Sequence, residues 1–153
     1  MTTNINVDKA TLYEEDFCLW LETTAELLKN RQLENLDYDN LIEEIEAMGR
    51  SEKHSLESNL IVVLMHLLKY KYQPQKRSRS WLSSIFEHRR RLTKTFKTSP
   101  SLKRYYEEVF DECYQYAVKQ ASIETGLPLE DFPNISPFTT KETLDFDFLP
   151  QDN

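Results

Sequence analysis

Apolar residues recur at helical spacing through most of the chain, and this repeat divides it into elements. Phe17, Trp20, Leu21, Leu27 and Leu28 mark a first helix over about 13–31, with Glu14, Glu15 and Asp16 near its start, where the helix dipole favours anions. A polar connector follows, and Asp39 is the expected N-cap of the next element. Leu41, Ile45, Met48, Leu56, Leu60, Val63 and Leu67 hold a single helical phase, which predicts one long helix over about 40–72. Gly49 leaves that phase intact but invites a kink or break, and Ser51 is placed to cap a restart. Apolar positions become denser after Leu60, so the second half is expected to be the more buried.

Gln73-Pro74 ends this helix, because proline disfavours helical geometry in the residue before it. A short basic loop leads to Ser80, the expected cap of a third helix reaching about Lys97 with Trp81, Ile85, Leu92 and Phe96 inward. Ser99-Pro100 reads as an N-cap with proline at the first helical position. The fourth helix uses Leu102, Tyr105, Tyr106, Val109, Phe110, Cys113, Ala117 and Ala121, and Gly126 is placed to close it. The fold class that follows is all-α: an antiparallel bundle of about four long helices in a single domain over residues 1–153. Residues 1–11 are expected to be a flexible lead-in. The segment 127–153 is expected to be an irregular, acidic, Phe- and Pro-rich tail packed on the bundle, pinned by Phe132, Phe138, Phe146 and Phe148, with one helical turn capped at Thr139–Glu142.

Composition agrees with helices, since two glycines among 153 residues are too few for a turn-rich β protein. The net charge of −7 argues against a general polyanion binder. Charge is nevertheless uneven: residues 66–97 hold ten of the nineteen Lys and Arg and one acid, Glu87. Cys18 and Cys113 show no ligand spacing and are expected to be buried, reduced residues on apolar helix faces, which suits a cytoplasmic protein. The N-terminus has no apolar core of a signal peptide, and the longest apolar run, 60–68, is too short to span a bilayer and contains His66. No membrane association and no cofactor are expected.

Several distinctive residues recur together with the helical pattern: Tyr13, Asp16, Phe17 and Trp20, then Glu43, Glu44 and Gly49. After these come His66 to Lys69 as His-Leu-Leu-Lys, then Gln73, Pro74, Arg77, Ser80, Trp81, Ile85 and Arg89, and late in the chain Glu124-Thr125-Gly126-Leu127. With these residues the chain, from about Tyr13 to Pro150, resembles the bacterial family catalogued as domain of unknown function number twenty-nine, common in cyanobacteria. The resemblance implies a helical fold and brings no catalytic residues with it.

The basic stretch carries the candidate chemistry. Gln73, Arg77, Trp81 and Arg89 are candidate binding residues, since cations beside aromatic rings are the ingredients of single-strand nucleic-acid sites. The competing reading is a charged helix face answered by the chain's own acids, with Glu44 and its neighbours pairing with the third helix. His66, Lys69 and Arg77 are the candidate catalytic set, because histidine titrates near neutral pH and Arg77 is suited to hold an anion. Against that, a histidine inside an apolar run usually bonds within the core. Glu43, Glu44, Glu46 and Glu52 lack the Glu-x-x-His pairing of bundle metal sites, so no metal is expected. No nucleophile motif occurs. The favoured function is a non-enzymatic protein-interaction or regulatory module, through a protein partner or self-association; nucleic-acid binding or processing by the 66–97 stretch is the alternative.

Overall fold

The computed structural model describes residues 11–151. The lead-in expected over residues 1–11 therefore lies outside the described residues, except for Thr11, which is helical. Among the described residues there is no strand, and four long helices carry the fold: α1 (Phe17–Lys29), α2 (Tyr38–Tyr72), α3 (Arg79–Thr98) and α4 (Leu102–Thr125). A five-residue helix, α5 (Thr140–Leu144), and three 3₁₀ turns complete it. No helix among these residues is long and apolar enough to cross a membrane. The chain divides into two compact units, one ending at Ser51 and one beginning at Glu52.

In the N-terminal unit the first helix breaks at Asp16 rather than running through it. Asp16 accepts from the Leu19 amide at 3.0 Å and so caps α1, a stronger use of its carboxylate than the general dipole effect expected from sequence. Trp20 is the buried centre, with Tyr13 edge-on at 5.0 Å and Phe17 stacked at 5.9 Å. Its indole N–H donates to Asp37 at 3.3 Å. Asp37 also accepts from the Asn40 amide group at 2.7 Å and stands just before α2, so it holds the place expected of Asp39. The Tyr13 hydroxyl donates to Glu44 and Arg50 meets Glu43 at 2.6 Å, so both acids have partners within the N-terminal unit. The hydrogen bond to Glu44 pushes the Tyr13 phenol up to about 12. Cys18 is exposed, a correction to its expected burial, because it falls off the α1 face that carries Trp20 and Thr24.

α2 runs unbroken through Gly49, which faces open space, and Ser51 is an ordinary helical residue. From Leu56 onward the helix turns dry: Leu56, Leu60, Val63, Leu64, Leu67 and Leu68 are fully buried. They pack with Ile85, Leu92 and Phe96 of α3 and with Phe110, Cys113, Ala117 and Ala121 of α4 in one core. Phe96 meets Tyr106 near the α3–α4 turn, while Gln73 at the end of α2 reaches Thr125 at the end of α4. Within the C-terminal unit the helices thus run up, down and up. Burial pushes the Cys113 thiol to about 12, which makes it an inert core residue.

Helix ends are set close to where the sequence places them. Ser78, not Ser80, accepts from the Trp81 amide and caps α3. α4 begins at Leu102, two residues later than Ser99-Pro100 suggests, because Ser99 and Pro100 form a turn whose carbonyls accept from Leu102 and Lys103. Gly126 closes α4 at φ 76°, the left-handed conformation that glycine adopts without a Cβ penalty. Thr139 and Glu142 form a reciprocal capping box on α5. In the tail Phe132 and Phe138 are buried and Phe148 is partly buried, but Phe146 is exposed against Phe86 and pins nothing in the core.

Candidate functional site

The end of α2 gathers most of the sequence-predicted residues. Helical spacing puts His66, Lys69 and Gln73 along one side of its last turns. The Lys69 ammonium is buried, meets Glu124 of α4 at 3.0 Å and lies 4.6 Å from the Trp81 ring centre. A desolvated cation held between a carboxylate and an indole is favourably placed on both sides. Gln73 is also buried, and its amide reaches the Thr125 carbonyl at 3.4 Å. Burial pushes Glu124 up, but hydrogen bonds from Lys69 and Gln120 outweigh it and hold the carboxyl below its usual value.

His66 is half-buried beside this pair. Its Nδ1 lies 3.0 Å from the Val62 carbonyl, an acceptor, so in the neutral ring Nδ1 carries the proton and Nε2 is the basic nitrogen. Burial, with Lys69 nearby, pushes its pKa down despite that hydrogen bond, and the ring is neutral at pH 7. Arg77 is held by Tyr70. Its Nε donates to the Tyr70 carbonyl at 2.8 Å, and the guanidinium stacks 4.0 Å over the Tyr70 ring, which folds the basic loop back onto α2.

Arg89 goes somewhere else entirely. It is buried on the inner side of α3 and donates to the carbonyls of Thr143 at 2.9 Å, Phe148 at 3.0 Å and Glu142 at 3.2 Å. Two of those carbonyls belong to the last turn of α5, where Glu142 also accepts from the Asp145 amide at 3.2 Å, so the guanidinium adds to that helix end and anchors the tail. Tyr106 and Tyr114 add hydroxyl bonds to Thr140 and Pro133 at 2.7 and 2.6 Å. The tail is therefore held through its backbone carbonyls as well as by its buried Phe132 and Phe138.

At least half of the ten cations in the 66–97 stretch are thus engaged within the protein. Lys69 and Arg89 are buried, Arg77 is folded onto Tyr70, and Arg90 and Arg91 close on Glu87 at 2.7 and 3.2 Å. Those hydrogen bonds hold the Glu87 carboxyl at about 2. Among the described residues no group of three or more His, Cys, Asp or Glu is placed to hold a metal ion. Sequence reasoning missed Asn59, a buried polar residue; its signal is that it shares the phase of Leu56 and Val63 at three and four residues' spacing.

Fold and site together define a helical protein whose distinctive residues mostly tie its own helices and tail together. The chain belongs to the family described as Domain of unknown function DUF29, which it matches over residues 12–149. No curated protein and no solved structure was found to match it.

Proposed function

We propose that the protein is a non-enzymatic interaction module whose N-terminal unit docks a basic amphipathic segment of another protein. The observation that carries this is the outer face of α2 before Gly49. Tyr38, Ile42, Ile45 and Met48 recur at three- and four-residue spacing, and Ile45 and Met48 remain 59% and 61% exposed. Phe17, Leu21 and Leu28 form a similar exposed row on α1. An apolar row at such spacing is the mark of a helix-in-groove partner surface. Charge selects the partner's chemistry: residues 11–51 carry eleven acids against three Lys and Arg, and Glu43 and Glu46 border the α2 row. A segment with apolar residues on one face and Lys or Arg along its edges complements both features.

The test is titration with a synthetic amphipathic helix bearing Leu on one face and Lys on its flanks. Saturable binding is expected, weakened by salt and abolished by Ile45→Glu with Met48→Glu. Indifference to that double substitution would remove the proposal; concentration-dependent dimerisation lost in the same variant would make a second copy the partner instead. The nucleic-acid alternative has less support, because Lys69, Arg77 and Arg89 are each engaged with the protein itself.

A further inference from the structure

A polar cleft of about 650 Å³ lies between the second half of α2 and the C-terminal half of α3. Its α3 wall carries Arg90, Arg91 and Lys94, and its α2 wall carries Ser55, Ser58 and Glu52. Arg90 gives its Nε and one terminal nitrogen to Glu87, and Arg91 gives only its Nε. A guanidinium has five N–H groups, so donors remain on both, and Lys94 forms no ion pair among the described residues. Asn59 also lines the cleft; it is 7% exposed, and its side-chain amide makes no hydrogen bond among the described residues. A buried amide with both ends unpaired is costly, and such groups are paired in most proteins. Its natural complement is a ligand that brings both donors and acceptors into the cleft.

The geometry points to a binding site for a sugar phosphate. The phosphate would be held by the free donors of Arg90, Arg91 and Lys94, whose fork and ammonium match phosphate oxygens. The sugar hydroxyls, each donor and acceptor at once, would pair with Asn59 and the two serines. Glu52 fits the same role: a carboxylate repels phosphate but accepts well from hydroxyls. A small molecule suits the site better than a polymer, since the cations converge over little more than one turn of α3 and the chain is net negative.

The experiment is calorimetric titration of the full chain with ribose 5-phosphate, inorganic phosphate, ribose and a ten-nucleotide single-stranded RNA. Ribose 5-phosphate is expected to bind saturably and about tenfold or more tighter than inorganic phosphate, with ribose alone undetectable. Arg91→Gln with Lys94→Gln should cost at least about tenfold in ribose 5-phosphate affinity while leaving the helical circular dichroism intact. Asn59→Leu should raise the melting temperature and reduce ribose 5-phosphate to the affinity of phosphate alone; if that variant misfolds, Asn59→Ala gives the same affinity comparison. Equal affinity for ribose 5-phosphate and phosphate, or binding untouched by the Arg91 and Lys94 changes, overturns the assignment. So does RNA binding far more tightly than ribose 5-phosphate with a steep salt dependence.

Discussion

One helix contains two different surfaces. Before Gly49, α2 leaves Ile42, Ile45 and Met48 in water; from Leu56 on most apolar residues of the same helix are buried, and Ile61 and Val62 are partly so. The residue types are similar, so hydrophobicity alone does not distinguish them. What differs is partnership. The second half is enclosed by α3, α4 and the tail, whereas the N-terminal unit has one buried tryptophan and a short row of aromatic contacts. An apolar stripe in a sequence thus announces a face that needs covering, without saying whether the chain itself supplies the cover.

The sharpest way to break that comparison is paired truncation along α2. Leu64→Ala is expected to cost roughly 2–5 kcal/mol, since it opens a cavity in a closed core. Ile45→Ala, on the wet half, should change stability by less than about 0.5 kcal/mol. Urea unfolding followed by circular dichroism reads both, and similar losses at the two sites would erase the distinction.

Arg89→Met comes next in size. It takes the guanidinium from three carbonyls of α5 and the tail, of which that of Glu142 keeps a backbone partner in the Asp145 amide, and a loss of roughly 3 kcal/mol is expected, with hydrogen exchange accelerating over 139–149 before the rest of the C-terminal unit. A uniform loss without selective exchange would deny Arg89 its anchoring role. The two glycines give smaller effects of opposite sign. Gly49→Ala meets nothing in space and should stabilise α2 by up to about 1 kcal/mol, while Gly126→Ala forces a side chain into a left-handed cap and should cost about 1 kcal/mol.

Acid should act on the α2–α4 corner. His66 is pushed below its ordinary 6.5 in the folded chain, so below pH 6.5 the unfolded chain binds protons first and stability falls as pH drops. Glu124 and Glu87, also held low, add a second loss below about pH 4.5. Unfolding midpoints against pH measure both windows, and His66→Asn should flatten the upper one alone.

Much of the fold was readable because its signals are local. Helical phase found the four long helices, Gly126 and the Thr139–Glu142 box announced their caps, and the density of apolar residues after Leu60 marked the dry half. Caps slipped by one or two residues at Asp39 and Ser80 because neighbouring side chains with the same chemistry, Asp37 and Ser78, compete for the same amides. The candidate site was less legible. Charge composition marks Arg89, Arg90 and Arg91 as equivalent, yet a rotation of 100° per residue buries the first against tail carbonyls and leaves the next two at the surface. Which cation meets which partner across elements is a matter of packing, and the partners of Lys69 and Arg89 lie more than fifty residues away.

The most direct test of the central contrast is a residue-resolved one. Amide chemical shifts of the full chain, recorded during titration with the Leu- and Lys-bearing amphipathic peptide, report on both halves of α2 in one experiment. The expected result is saturable shifts over residues 38–48, with little change over 56–72. Shifts centred on the buried half, or none up to millimolar peptide, would contradict the claim that the wet half of α2 is a surface awaiting a partner.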